Sequence, residues 1–149
     1  MATTEHTIND ALAGVLRGTR RAWQQSNVVR SEKTSMLKGS NERPDILVIE
    51  SAVSPAVIET EVLPAPTVES DAISRLGKQI RATGKTILSS IAVCLPRRLR
   101  TKQGSLLQSE LEDASDIEMA IYTGSDPSAY TRWPRSGWIL GGVLSLIHI

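Results

Sequence analysis

Three carboxylates lie in two short apolar runs of this 149-residue chain. Asp45 opens the run DILVIE, and Glu59 and Glu61 lie towards the end of the run AVIETEV. Ser54-Pro55 supplies turn chemistry between the runs, which predicts two strands joined as a hairpin. Because strand side chains alternate between faces, Glu59 and Glu61 share a face, and the hairpin brings Asp45 beside them. Such carboxylates repel one another unless a cation lies between them, and all-oxygen ligands favour Mg²⁺ or Mn²⁺.

Helical spacing of apolar residues predicts a first helix with Thr7 as its N-cap. If this helix begins one turn earlier, Thr4 and Glu5 lie on its apolar stripe. The continuous apolar run at 86–95 predicts a central strand. The remaining elements are predicted in the order strand 27–36, strands 45–50 and 56–62, helix 68–83, strand 86–95, helix 105–112 and strand 116–123.

Gly77 lies inside the predicted helix over 68–83. A glycine there costs about 1 kcal/mol relative to alanine. We therefore expect Gly77 to allow a close approach to the sheet.

Pro44-Asp45 followed by Glu59-Thr60-Glu61 resembles the motif of the PD-(D/E)xK nuclease family, which has the restriction-endonuclease-like fold. Glu61 stands where the family usually has Lys. Some restriction enzymes of the family also carry Glu there, and the change leaves open which group handles the attacking water. The resemblance covers residues 4–95. It implies an α/β fold with an αβββαβ core, in which helices flank a mixed central sheet.

The resemblance also implies site residues. Asp45, Glu59, Glu61 and Gln79 are the catalytic candidates, and Mg²⁺ or Mn²⁺ is expected on Asp45, Glu59, Glu61 and Glu5. Family members often carry a supporting polar residue on the second helix, where Gln79 and Arg75 lie on one side. The alternatives are that Glu5 is a solvated acid at a helix start, and that Gln79 and Arg75 belong to an ordinary solvated helix face.

Charge is segregated along the chain although the formal net charge is only +1. There is no acid between Asp71 and Glu110, and the segment 110–126 carries acids and no bases. A basic surface beside an acidic metal site would hold backbone phosphates. The family resemblance implies DNA as the expected partner, and the sequence itself leaves DNA and RNA open. The alternative is a solvated helix face followed by a basic loop. The predicted nucleic-acid-binding residues are Arg75, Lys78, Arg97, Arg98 and Arg100.

The chain length fits one domain, with the nuclease-like domain at 1–126 and an irregular C-terminal segment at 127–149. The apolar ending predicts that the chain is the front of a longer protein with additional C-terminal domains. Its final run, 138–149, is shorter than the about 20 residues needed to cross a bilayer, so no membrane partner is expected. The single Cys94 excludes an internal disulfide framework, and the first ten residues lack the pattern of a signal peptide. A cytoplasmic location is expected.

Two histidines near the chain ends disfavour a zinc site or a Ser-His-Asp triad. The predicted function is a metal-dependent DNA endonuclease or the nuclease module of a restriction or DNA-processing protein, with a homodimer as one expected assembly. The alternative is a nuclease-like fold that no longer cuts and binds nucleic acid or docks a partner. A third reading, an α/β interaction domain, requires Asp45 to lie more than about 10 Å from Glu59, whereas paired strands are about 4.8 Å apart.

Overall fold

The structure, a computed structural model, describes residues 4–17, 28–30, 37, 45–48, 55–81 and 83–135. The chain is an α/β protein in which α-helices are interspersed with one to three successive strands, and a short 3-10 helix precedes the last α-helix. The elements are α1 (Glu5–Arg17), β1 (Val28–Arg30), β2 (Ile46–Val48), β3 (Ala56–Val62), α2 (Val68–Ser74), β4 (Ser89–Leu95), the 3-10 helix (Arg97–Thr101), α3 (Gly104–Asp113), β5 (Glu118–Asp126) and β6 (Ala129–Arg135).

The described strands form one mixed sheet in which their spatial order equals their chain order, β1 to β6. All neighbouring strands are antiparallel except β3 and β4, which run parallel. The connection that carries α2 makes this parallel pair possible, because parallel neighbours need a crossover. The predicted hairpin of β2 and β3 is confirmed, with Ile46 opposite Ile58 and Val48 opposite Ala56.

The two faces of the sheet bury different residues. Alternation along β3 turns Ile58 towards the cluster that contains α1 and α3, and it turns Val57 towards the opposite face. On that opposite face α2 packs through Val68, Ala72 and Leu76. The predicted arrangement of helices on both sides of a mixed sheet is therefore present, and Glu59 lies on the α2 face with Val57.

The N-cap of α1 differs from the prediction. The side chain of Thr4, not that of Thr7, accepts a hydrogen bond from the backbone N–H of Thr7 at 3.2 Å. The helix therefore begins one turn earlier than its apolar spacing indicated, since a Ser or Thr oxygen satisfies free N–H groups only in the turn that follows it.

The predicted second helix over 68–83 is too long. α2 ends at Ser74, and Gly77 has a φ of +81° that a continuing helix does not allow. A Cβ at Gly77 would lie 2.3 Å from the carbonyl oxygen of Ser125 on β5. The expected close approach of Gly77 to the sheet is confirmed, and it ends the helix.

The segment predicted to be irregular from residue 127 begins with a strand. β6 pairs with β5 through partners such as Trp133 opposite Ile121, so the sheet continues past residue 126. Residues 136–149 of that segment lie outside the described residues. Within the described part of the chain, no helix has the length and apolar character needed to cross a membrane.

Candidate metal site

Asp45 and Glu59 contact each other directly at the start of the β2–β3 hairpin. The backbone N–H of Asp45 donates to Glu59 Oε2 at 2.9 Å. The backbone N–H of Thr60 donates to Asp45 Oδ2, also at 2.9 Å. The antiparallel register sets these contacts, because Ile46 lies opposite Ile58 and the next pair outward is Asp45 and Glu59. We refer to these two side chains as the Asp45–Glu59 pair.

Thr60 connects the pair to α1 on the other side of the sheet. Its hydroxyl donates to Asn9 Oδ1 of α1, and it lies 3.5 Å from Asp45 Oδ2. Asn9 is buried on the face of α1 that carries Leu12 and Ala13. Sequence reasoning expected a polar group near the site from α1 but assigned it to Glu5, one turn earlier. The available signal was that Asn9 precedes the apolar residues Leu12 and Ala13 by three and four positions, which places it on their face of the helix.

Arg75 provides the counter-ion of Glu59. Its Nη2 lies 2.9 Å from Glu59 Oε1, and its Nη1 donates to the Ser74 hydroxyl at 3.0 Å. Both charged residues are buried, with 7% of Arg75 and 3% of Glu59 exposed. Sequence reasoning placed Arg75 beside the site but took it for a contact to backbone phosphates. Its position at the C-terminal end of α2, facing the sheet, turns the guanidinium inward instead.

The environment of Glu59 opposes ionisation. Burial raises the pKa of Glu59 first, and the nearby charge of Asp45 raises it further. The Arg75 guanidinium and the hydrogen bond from the Asp45 backbone act in the opposite direction, and the pKa of Glu59 is raised from 4.5 to about 7. At neutral pH this carboxyl therefore retains a proton part of the time, as expected for a buried acid beside a second carboxylate.

Glu61 shares the face of Glu59, as predicted, but it binds the start of α2. Its Oε1 accepts the backbone N–H groups of Thr67 at 2.9 Å and Val68 at 3.1 Å. Free N–H groups and the positive end of the helix dipole favour a carboxylate there. Among the described residues no group of three or more acidic, Cys or His side chains is arranged to hold a metal ion. In this structure Glu61 is engaged by the start of α2, and metal binding by all three carboxylates stays a prediction.

The other two predicted site residues are placed differently. Gln79 follows the end of α2, is exposed, and forms an isolated bridge with Thr86. The helical periodicity that aligned Gln79 with Arg75 therefore does not apply, because no helix connects them. Glu5 is the first residue of α1, and its side chain lies outside the described residues.

The predicted phosphate-binding residues fall into three groups. Arg75 is buried against Glu59. Arg98 is bound by acids, since its guanidinium forms a two-pronged pair with Asp116 and lies 3.1 Å from Glu110 Oε2. These carboxylates raise the pKa of Arg98 further, and the hydrogen bond from Arg98 lowers the pKa of Asp116. Arg97 is exposed and donates to the Leu63 carbonyl at 3.3 Å, while Lys78 and Arg100 are half-buried.

Sequence reasoning missed a second polar cluster on the α2 face. Glu69 of α2 accepts hydrogen bonds from the Tyr122 hydroxyl and from Arg132 Nε, the latter at 2.9 Å. The Tyr122 hydrogen bond first, and Arg132 next, lower the pKa of Glu69, whereas burial raises the pKa of Tyr122 to about 12. This cluster ties α2 to β5 and β6, and no spacing signal connected residues so far apart in the chain.

A pocket of about 360 Å³ lies beside this second cluster. Burial, followed by the charges of nearby Glu69, Glu118 and Glu61, raises the pKa of Cys94 in its wall. The reactive thiolate form is therefore disfavoured. The pocket is lined by Glu69, Ala92, Cys94, Glu118, Met119, Ala120, Arg132 and Pro134.

No protein-family model, no curated protein and no solved structure matches this chain. The Asp45–Glu59 pair offers only carboxylate oxygens, and Asp45 is half-exposed. This donor set fits a hard divalent cation.

Proposed function

We propose that this chain is a metal-dependent nuclease domain that hydrolyses the phosphodiester bonds of DNA, with the Asp45–Glu59 pair as its metal ligands. The single observation that carries the proposal is the hydrogen bond from the Asp45 backbone N–H to Glu59 Oε2, which places the two acids next to each other. This contact does not meet the condition that the interaction-domain alternative set, a separation of more than about 10 Å between Asp45 and Glu59, because paired strands are about 4.8 Å apart.

The topology around the pair supports the same proposal. The chain runs helix, three antiparallel strands, helix and parallel strand, and the acids lie on the second and third strands. This is the αβββαβ order that the resemblance to PD-(D/E)xK nucleases implies. Membership of the restriction-endonuclease-like fold is accordingly part of the proposal.

The proposed reaction is hydrolysis, in which the oxygen of water bonds to phosphorus and the bond from phosphorus to one ester oxygen breaks. A bound Mg²⁺ or Mn²⁺ ion would lower the pKa of a coordinated water and offset the negative charge that builds on the phosphate. The Thr60 N–H holds the Asp45 carboxylate in place, and the Asp45 N–H does the same for Glu59. Glu61 acts through the fold, since it fixes the start of α2 and so the helix that carries Arg75 to the site.

Phosphate contacts in this proposal come from Arg97, Lys78 and Arg100. Arg98 is left out, because Asp116 and Glu110 already neutralise it. The basic stretch is thus smaller than the sequence predicted, and weak DNA binding is expected.

A second candidate function is a nuclease-like domain that binds DNA or a partner without cutting. The observation that favours it is the buried ion pair of Arg75 and Glu59, which provides a cation from within the chain where a metal ion is expected. The two candidates differ in metal binding, since a cutting domain requires a divalent ion at Asp45 and Glu59 and a binding domain does not.

Cleavage of supercoiled plasmid with Mg²⁺ and then Mn²⁺ tests the proposal. We expect nicking by the wild-type chain and its loss in Asp45→Asn. Asp113→Asn is the matched control, because Asp113 is exposed on α3, which packs on the opposite face of the sheet. Folded wild-type protein that cuts with neither metal, or cleavage that persists in Asp45→Asn, would overturn the proposal in favour of the second candidate.

A further inference from the structure

Glu59 already holds a cation at one of its two oxygens. Oε2 accepts the Asp45 N–H, and Oε1 lies 2.9 Å from Arg75 Nη2. A divalent ion shared by Asp45 and Glu59 needs a carboxylate oxygen at roughly 2.0 to 2.2 Å. The guanidinium and the metal ion would therefore compete for one buried carboxylate.

The charge balance favours exchange over joint occupancy. When both are ionised, Asp45 and Glu59 carry two negative charges, and the Arg75 guanidinium in contact with Glu59 carries one positive charge. A divalent ion alone neutralises the two carboxylates, whereas a divalent ion together with Arg75 leaves a net positive charge in a region of low exposure. Like charges close together in a poorly solvated site repel strongly.

Arg75 has a second hydrogen-bond partner, Ser74, besides Glu59. Its Nη1 donates to the Ser74 hydroxyl at 3.0 Å, next to it in the chain. Arg75 also lies at the end of α2, just before Gly77 takes a left-handed conformation. The guanidinium can therefore leave Glu59 while its backbone stays at the helix end.

We propose that Arg75 is the counter-ion of the Asp45–Glu59 pair in the metal-free protein, and that a divalent ion displaces its guanidinium from Glu59. This inference rests on the proposed function, because it assumes that the pair binds a metal. It adds that metal binding is weakened by the chain's own cation, and that the released guanidinium becomes available to a phosphate oxygen beside the metal.

Mn²⁺ binding, followed by the electron paramagnetic resonance signal of the free ion, measures the competition without any cleavage assay. We expect Arg75→Gln to bind Mn²⁺ at least about tenfold more tightly than the wild-type chain, since the opposing charge is gone. Arg81→Gln removes an exposed positive charge six residues further along and serves as the matched control, with a change below about threefold. Asp45→Asn, with Arg75 present, should not bind.

The wild-type protein gives a second readout that does not depend on a variant's folding. The Nε–Hε resonance of Arg75 in a ¹H–¹⁵N spectrum, assigned by its loss in Arg75→Gln or Arg75→Lys, should shift as Mg²⁺ is added and saturate with the site. Equal Mn²⁺ affinity of wild type and Arg75→Gln would overturn the inference while leaving the proposed function standing. So would an Arg75 resonance that stays fixed at saturating Mg²⁺.

The remaining outcomes separate the two proposals. Binding by Arg75→Gln alone would show that the metal ion does not displace Arg75 in the wild-type chain, and it would overturn the inference in favour of the second candidate function. Failure of wild type and Arg75→Gln alike to bind, with both folded by circular dichroism, would overturn the proposed function and the inference with it.

Discussion

Glu59 is surrounded by groups that oppose its ionisation and by one cation that favours it. Its burial and the neighbouring Asp45 outweigh the contact with Arg75, so its pKa is raised from 4.5 to about 7. A buried carboxylate of this kind is expensive for the fold when no further cation is present. The opposing effects on Glu59 make the stability of the fold depend on pH.

Stability should fall as the pH rises from about 4.5 to about 7, by an amount on the order of 3 kcal/mol from Glu59 alone. In that interval the folded protein holds the Glu59 proton and the unfolded chain has lost it, so the folded state is the one that binds more protons. Urea unfolding of wild type and Glu59→Gln across this interval isolates the contribution as the difference between their pH slopes. Identical slopes would mean that Glu59 titrates as an ordinary carboxyl.

Glu61 gives a contrasting residue-level prediction. Glu61→Ala removes the acceptor of two α2 backbone N–H groups and should lower the free energy of unfolding by about 1 kcal/mol. Mn²⁺ affinity should stay within about threefold of wild type, because Glu61 acts at the helix start. Glu112→Ala, an exposed acid on α3, is the matched control and should change stability by less than about 0.5 kcal/mol. Loss of Mn²⁺ binding in Glu61→Ala would restore Glu61 as a ligand.

At the scale of elements, the end of α2 depends on its approach to β5. Gly77→Ala should lower stability by more than about 2 kcal/mol, because the added Cβ would meet the Ser125 carbonyl at 2.3 Å and the left-handed φ is strained. Gly14→Ala is the matched control: it lies in α1 with nothing within 4 Å of its added Cβ, and it should raise stability by up to about 1 kcal/mol. Denaturant unfolding of both variants measures the contrast, and equal effects would refute the close approach.

The 3-10 helix carries two neighbouring arginines with different partners, so we expect only one of them to contact DNA. Arg97→Ala should reduce the slope of log affinity against log salt by about 1, whereas Arg98→Ala should leave it unchanged. Arg98 is engaged by Asp116 and Glu110, whereas Arg97 is exposed and donates to the neutral carbonyl of Leu63. Titration of a labelled duplex at several salt concentrations makes the comparison. Equal losses in the two variants would show that DNA displaces the acids from Arg98.

The elements were predictable where their own sequence decided them. The predicted third strand has the observed bounds, Ala56–Val62, because its apolar run is closed at both ends by turn residues. β6 was missed because Ala129–Arg135 lacks an apolar alternation and contains Pro134, which a strand tolerates only near an edge. The order of helix, three strands, helix and strand needed only the local patterns.

Site residues were predictable only in part, because their partners are distant in the chain. The contact of Asp45 with Glu59 follows from hairpin pairing, which sequence indicates directly. The burial of Arg75 depends on where α2 ends, and that end depends on Gly77 meeting Ser125 nearly fifty residues later. The capping of α2 by Glu61 likewise depends on how the loop between β3 and α2 brings the start of the helix back to Glu61. Local periodicity contains none of this information.

In the molecule as a whole, one sheet holds an acidic pair, and one arginine of the chain provides a cation to that pair. α1 reaches the pair through Asn9 and Thr60, and α2 reaches it through Arg75. Both faces of the sheet therefore hold the two carboxylates in place. We propose that a site held from both sides is preorganised for a small ion.

Anomalous diffraction from crystals grown with MnCl₂ tests that claim most directly. We expect a manganese peak between the carboxylates of Asp45 and Glu59, within about 2.0 to 2.3 Å of an oxygen of each. We also expect that the Arg75 guanidinium has moved away from Glu59. A structure at saturating Mn²⁺ with no peak at this position, and with Arg75 still bound to Glu59, would contradict the account.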